Sequence, residues 1–137
     1  MKIDHIALWV KDLESMKDFY LKYFDCKSGE RYENPTKGFS SFFIRFDDGA
    51  RLELMHRNDI SEHNSRDTFG WTHLAIQVGS TAEVDRMTRE FEKDGFTIES
   101  QPRVSGDGYY ESVILDPEGN RIELVGEYER VIYNDSL

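Results

Sequence analysis

At residues 4–10 the chain reads Asp-His-Ile-Ala-Leu-Trp-Val, and at residues 72–78 it reads Thr-His-Leu-Ala-Ile-Gln-Val. A second pair of stretches keeps this spacing, with Arg-Leu-Glu-Leu at residues 51–54 and Arg-Ile-Glu-Leu at residues 121–124. An internal repeat of about 70 residues indicates a duplicated module, because solenoid repeats have periods of about 20–50 residues. The sequence therefore predicts two similar halves.

The two repeats are predicted at about residues 2–56 and 71–126 of a single domain that spans residues 1–137. Eight stretches are predicted to be strands, and polarity alternates over the first of them, as expected for a strand with one buried face. These stretches are residues 3–10, 27–33, 39–46, 50–56, 71–78, 97–103, 109–115 and 121–126. An amphipathic helix is predicted after the first strand of each half, over residues 13–24 and from the capping box Ser80-x-x-Glu83 to Gly95. The predicted order is βαβββ twice, with a polar linker over 56–70 and a short C-terminal tail over 127–137.

Charge and composition restrict the partners of the chain. Among 137 residues, 17 are basic and 27 are acidic, which gives a formal net charge of -10. A surface this acidic repels phosphate groups. Neither nucleic acid nor an anionic membrane is therefore expected as a partner. No stretch reaches the roughly 20 apolar residues that span a bilayer, and no signal-peptide pattern precedes the first strand. The single cysteine, Cys26, excludes an intrachain disulfide. We expect a cytoplasmic protein.

The faces of four predicted strands carry the candidate chemistry. Side chains alternate across a strand, so the aliphatic residues of each strand share one face and the remaining residues share the other. The predicted helices would cover the aliphatic faces. This leaves His5, Glu53, His73 and Glu123 on the uncovered faces, with the small residues Ala7 and Ala75 beside the histidines.

Two imidazoles and two carboxylates form a ligand set that suits one divalent ion of zinc, nickel, cobalt, iron or manganese. With only four protein ligands, a coordination position stays open for a substrate. The same two residue types recur at the same places in both repeats, which favours a metal site over ordinary polar residues on exposed strands. By contrast, His56 and His63 have no counterpart in the other half and are expected to be solvated.

These stretches resemble the vicinal oxygen chelate superfamily, which includes glyoxalase I, extradiol dioxygenases, thiol transferases that modify fosfomycin, and bleomycin-binding proteins. The resemblance covers about residues 2–126 and includes the Asp-Pro-Glu-Gly turn at 116–119. It implies an α+β fold in which the two βαβββ modules form an open, cup-like barrel. A full set of His5, Glu53, His73 and Glu123 is similar to glyoxalase I, a lyase that serves methylglyoxal detoxification by converting its hemithioacetal into a thioester through an enediolate.

The resemblance also implies roles for single residues. Glu123 would be the base that moves the proton, with Glu53 as its symmetry-related partner. Bacterial glutathione-dependent enzymes carry an arginine four residues after the first histidine and an asparagine soon after the first glutamate. Here Trp9 and Arg57 stand at those places, so the thiol is left open. Trp9, Arg57 and Tyr109 are predicted to contact the small-molecule substrate.

Two other classes of function fit the same pattern. One is a different metal-dependent enzyme of the superfamily, such as a thiol transferase, an epimerase or a dioxygenase. The other is a metal-free protein of the same fold that binds a small aromatic ligand. The resemblance further implies a homodimer, in which the modules pair within one chain or across two chains.

Overall fold

A computed structural model describes residues 1–63 and 67–127. The chain divides into two compact units, Met1–Thr68 and Phe69–Leu137. The predicted C-terminal tail, with Tyr128, Val131, Ile132 and Tyr133 expected to dock, lies outside the described residues. Within the described part, no helix is long and apolar enough to cross a membrane.

The first unit is one sheet with one long helix. Its elements are β1 (His5–Trp9), α1 (Leu13–Tyr23), β2 (Cys26–Ser28), β3 (Tyr32–Asn34), a 3₁₀ turn (Pro35–Lys37), β4 (Phe39–Phe46) and β5 (Arg51–Arg57). The strand order is β1-β5-β4-β2, and β3 also pairs with β4. Strands β1 and β5 run parallel, whereas the other pairs are antiparallel.

The predicted strand over residues 27–33 is wrong in one respect, because it is two short strands. Strand β2 pairs with the end of β4, where Cys26 lies opposite Phe46. Strand β3 pairs with the start of β4, where Asn34 lies opposite Phe39. Between them, the Gly29 amide donates to the Phe43 carbonyl at 2.9 Å. The chain thus keeps contact with β4 but leaves regular pairing for a few residues.

Helix α1 begins where a side chain satisfies a free backbone amide. Asp12 is the N-cap, and its carboxylate accepts a hydrogen bond from the Ser15 amide at 3.0 Å. The predicted apolar stripe is confirmed, since the helix buries Leu13, Met16, Phe19 and Tyr20. The aliphatic residues of β5, Leu52 and Leu54, are also buried. The opposite face of the sheet therefore carries the candidate site.

The second unit has the predicted βαβββ order. Its elements are β6 (His73–Ser80), α2 (Thr81–Lys93), β7 (Ile98–Val104), β8 (Tyr110–Leu115) and β9 (Arg121–Glu127). The strand order is β6-β9-β8-β7, and β6 runs parallel to β9. The capping box is confirmed, because the Ser80 hydroxyl accepts from the Glu83 amide at 3.2 Å. Gly95 follows the helix with a φ of 89°, a left-handed conformation that glycine adopts without steric cost.

The core of the second unit repeats that of the first. Val84, Met87 and Phe91 of α2 are buried, as predicted, and so are Ile122 and Leu124 of β9. Burying one such side chain stabilises a fold by about 1.5–3 kcal/mol, so these faces fix which side of each strand points inward. The α+β class is confirmed, and in each unit a histidine strand is outermost beside a glutamate strand.

Candidate metal centre

In the first unit, His5 and Glu53 lie side by side on adjacent strands. The parallel register of β1 and β5 sets Ala7 opposite Glu53 and His5 opposite Arg51. The two functional side chains therefore meet diagonally, and His5 Nε2 lies 3.7 Å from Glu53 Oε1. The histidine side chain is 39% exposed and the glutamate side chain 15%. The small side chain of Ala7 leaves the carboxylate open to the same face.

The second unit contains the same arrangement. Ala75 lies opposite Glu123, and His73 lies opposite Arg121. His73 Nε2 is 3.2 Å from Glu123 Oε2, with side-chain exposures of 39% and 16%. The two histidine–glutamate pairs therefore share the same strand register, meet through the same histidine nitrogen and have similar side-chain exposures.

The geometry of each pair suits two ligands of one ion. Nitrogen and oxygen ligands lie about 2.1 Å from zinc, so neighbouring donors would be about 3.0 Å apart at right angles and about 3.4 Å apart at a tetrahedral angle. The observed separations, 3.7 Å and 3.2 Å, are close to these values. Within residues 1–63 and 67–127, no group of three or more His, Cys, Asp or Glu side chains converges as a metal site. The four residues predicted as one ligand set are thus found as two pairs, one in each unit.

The Asp4 carboxylate contacts the ring nitrogen of His5 that faces away from Glu53. His5 Nδ1 lies 2.7 Å from Asp4 Oδ2, and the same oxygen accepts from Arg51 Nη2 at 2.8 Å. The hydrogen bond with His5 is the main reason that the pKa of Asp4 is lowered, and the Arg51 guanidinium lowers it further. Asp4 is therefore a carboxylate at neutral pH.

Glu111 lies beside Glu123 in the second unit. Val113 of β8 is opposite Glu123, and Glu111 is two residues earlier on the same face. Burial, followed by the hydrogen bond and charge of Glu123, raises the pKa of Glu111 to about 7. Arg103, whose Nη2 lies 3.7 Å from Glu111 Oε1, opposes this shift only in part. Glu111 therefore keeps its proton to a higher pH than an ordinary glutamate does.

The predicted substrate contacts are divided between the units. Trp9 and Arg57 meet in the first unit, where the Arg57 Cζ atom lies 5.0 Å from the centroid of the indole ring. Phe39 packs edge-on against Trp9, with 6.1 Å between ring centroids. Tyr109 belongs to the second unit, where it is half-buried at the end of the turn before β8 and its amide donates to the Ser105 hydroxyl at 3.0 Å.

The sequence analysis did not identify Asp4, which contacts His5, or Glu111, which lies beside Glu123. The signals were the Asp-His dipeptide at residues 4–5 and the alternation that places Glu111 on the face of Glu123. The expectation for His63 is confirmed, because it is exposed. The expectation for His56 is wrong, because this residue is half-buried and its Nδ1 donates to the Val10 carbonyl at 2.9 Å.

Comparison with known proteins identifies the family. The model of the Glyoxalase/Bleomycin resistance protein/Dioxygenase superfamily matches residues 2–124. The chain belongs to this superfamily. Membership confirms the resemblance inferred from the two repeats. Because the superfamily description spans glyoxalases, resistance proteins and dioxygenases, it leaves the reaction itself open.

The chain is similar to individual members of the superfamily in sequence and in structure. Lactoylglutathione lyase of Escherichia coli O157:H7 is 29% identical over 130 residues, which cover 93% of this chain and 93% of that protein. A superfamily domain from Frankia sp. EAN1pec has the same fold, with a TM-score of 0.79, 18% identity, and coverage of 94% and 93% of the two chains. The trypanothione-dependent glyoxalase I of Leishmania major has a TM-score of 0.75 and 22% identity, covering 93% of this chain and 87% of its own.

Proposed function

We propose that this chain is a divalent-metal-dependent, glyoxalase I-like lyase that acts on a hemithioacetal of methylglyoxal. The observation that carries the proposal is the histidine–glutamate pair, which occurs in both units with the same strand register and similar donor separations. The lactoylglutathione lyase of E. coli matches over nearly its whole length, which supports this reading over the other reactions of the superfamily.

One ion would be held by His5, Glu53, His73 and Glu123, two ligands from each unit. The four ligands come either from one chain or from two copies in a homodimer. A bound ion would supply Lewis acidity towards the two neighbouring oxygens of the substrate. Nickel, zinc, cobalt, iron and manganese all suit this mixture of imidazole and carboxylate.

Proton transfer would fall to the glutamates. Glu123 would take the proton from the substrate carbon that carries sulfur and return it to the neighbouring carbon, so the product is an isomer of the hemithioacetal. A carboxylate of this kind works best when its pKa is near the working pH. The neighbouring Glu111, whose pKa is about 7, gives this part of the sheet a second proton-exchanging carboxyl group. Glu53 occupies the equivalent place in the first unit.

The remainder of the substrate would contact Trp9 and Arg57, with Tyr109 contributing from the second unit. Trp9 lies four positions after His5, and Arg57 lies four positions after Glu53, which corresponds to about 13 Å along each strand. A thiol of moderate length with an anionic end would therefore span from the metal pair to the Arg57 guanidinium. Thiol usage varies between glyoxalases, since that of L. major is trypanothione-dependent.

Metal loading followed by a thioester-formation assay tests the proposal. The purified protein is stripped with a chelator, reloaded with each of the five metals, and assayed with methylglyoxal and several thiols, including glutathione. We expect activity only after metal is restored, with one ion for each set of four ligands. Metal binding without isomerisation of any hemithioacetal would move the function to another metal-dependent reaction of the superfamily. A protein that binds none of the metals would instead be a small-ligand binding protein.

A further inference from the structure

The contacts around His5 form a closed circuit that the described residues of the second unit do not repeat around His73. Arg51 bonds Asp4 twice, through Nη2 to Oδ2 at 2.8 Å and through its backbone amide to the Asp4 carbonyl at 3.1 Å. Its guanidinium lies over the Phe43 ring, with 4.4 Å from Cζ to the centroid. Phe43 in turn meets the His5 ring edge-on at 5.4 Å and 81°. The imidazole is therefore held by a carboxylate and by an aromatic ring.

The carboxylate determines which ring nitrogen of His5 carries the proton. An ionised carboxylate only accepts hydrogen bonds, so Nδ1, at 2.7 Å from Asp4 Oδ2, is the protonated nitrogen of the neutral ring. Nε2 then keeps its lone pair. This nitrogen points towards Glu53 Oε1, 3.7 Å away, which is the side where the metal pair is proposed.

The equivalent residues of the second unit cannot do the same. Thr72 stands in the place of Asp4 and carries no carboxylate. Val113 stands in the place of Phe43, because each lies opposite the glutamate of its unit. Arg121, the counterpart of Arg51, donates instead to Glu99 Oε1 at 2.6 Å. Among residues 1–63 and 67–127, the histidine that an aspartate supports is therefore that of the first unit.

We propose that Asp4 is a positioning residue that fixes the Nδ1–H tautomer of His5 and presents Nε2 as a ready metal ligand. Partners that hold the second nitrogen of a ligating histidine orient the ring and raise its basicity, and their loss typically lowers metal affinity by about 10- to 100-fold. The proposal depends on the metal pair His5–Glu53. It predicts that the two histidines are unequal ligands, with His5 preorganised and His73 dependent on the ion for its orientation.

The first measurement uses the metal-free protein, so it does not depend on the proposed function. Long-range proton–nitrogen NMR spectra distinguish the two ring tautomers of a neutral histidine, and the four histidines can be assigned by substitution. We expect a protonated Nδ1 for His5 in the unmodified protein and in Asp4→Asn, whose amide oxygen still accepts. Asp4→Ala is expected to shift His5 towards the Nε2–H form. Thr72→Ala is the matched control and should leave both histidines unchanged.

The second measurement is cobalt(II) affinity, followed by visible absorption in the same variants. We expect Asp4→Ala to weaken binding by about 10- to 100-fold, with Asp4→Asn between it and the unmodified protein and Thr72→Ala unchanged. Thermal unfolding checks that each variant is folded. An unaltered His5 tautomer or unaltered cobalt affinity in folded Asp4→Ala would overturn the proposal. If the unmodified protein binds no cobalt, the proposed function fails instead, and the NMR result alone decides whether Asp4 sets the tautomer.

Discussion

The Arg57 guanidinium lies over the indole ring of Trp9, with Cζ 5.0 Å from the ring centroid. Asp59 holds the same guanidinium from the side, with 2.5 Å between its Oδ1 and Arg57 Nε. A stacked guanidinium presents its remaining donors in a fixed plane, which suits bidentate recognition of a carboxylate. The Arg57 guanidinium is thus oriented by the ring of Trp9 on the neighbouring strand.

Arg57→Ala is expected to raise the KM for a hemithioacetal that carries a distal carboxylate by about 10- to 100-fold, with a much smaller change in kcat. The reason is that a charge-assisted hydrogen bond contributes about 1.5–3 kcal/mol to binding, and this contact is remote from the reacting carbons. Arg45→Ala is the matched control, since Arg45 is an exposed arginine of β4 in the same unit. A thiol whose carboxylate is converted to an amide should be insensitive to Arg57. Equal losses with both thiols would exclude carboxylate recognition.

Replacing either His5 or His73 with alanine should cost at least about 100-fold in metal affinity, because removing a ligand has a larger effect than removing its supporting partner. Isothermal titration with zinc measures this directly. His63→Ala is the control, because His63 is an exposed histidine among the described residues. His56 is unsuitable for this purpose, since its hydrogen bond to Val10 joins β5 to the end of β1. Equal losses of metal affinity in His5→Ala, His73→Ala and His63→Ala would contradict the metal site that the internal repeat predicts.

Glu123→Gln should lower kcat by about 10²–10⁴-fold, the usual cost of losing a general base. Glutamine is nearly isosteric and still offers an oxygen to a metal, but its amide does not accept a proton at neutral pH. Metal content must be measured in each preparation, so that a loss of metal is not mistaken for a loss of base. Glu127→Gln on the same strand and face is the control and should retain activity. Full turnover by metal-loaded Glu123→Gln would assign the proton transfer to another residue.

The metal-free protein should become less stable as the pH rises from about 4.5 to about 7, and Glu111 should account for part of this loss. The carboxyl faces Glu123 on β9, Arg103 on β7 and Asp107 in the turn, and its pKa is raised from 4.5 to about 7. Between these values the folded state binds a proton that the unfolded state has released. Its contribution is therefore complete below the unfolded pKa and is lost as the pH passes the folded pKa.

Urea unfolding of the chelator-treated protein at several pH values measures this effect. Glu111→Gln should flatten the slope between pH 4.5 and 7, with a difference of at most about 3 kcal/mol between the two ends of the range. Glu127→Gln, at an exposed position of β9 in the same sheet, serves as a control. A pH slope that is the same in the unmodified protein and in Glu111→Gln would show that the proton is held elsewhere.

The sequence by itself determined the faces of the strands and the order of the elements, apart from the division of the strand predicted over residues 27–33. Alternation is a local property of extended backbone. It therefore places His5 on the face away from Ile6 and Leu8, and Glu53 on the face away from Leu52 and Leu54, without knowledge of the pairing. Helix starts were equally local, because Ser80 caps its helix through an amide only three residues away. The internal repeat then allowed the strands and candidate ligands of the second half to be matched to those of the first.

Tertiary structure decided which strands are neighbours, and with them the surroundings of each predicted ligand. The parallel pairing of β1 with β5 joins residues almost 50 positions apart, which is how Arg51 reaches Asp4. In the second unit the equivalent arginine turns to Glu99 on β7. The same holds for the strand that divides at Gly29, because its two parts follow different stretches of β4. Such contacts depend on register between distant segments and on competing charged partners, and neither is encoded in local periodicity.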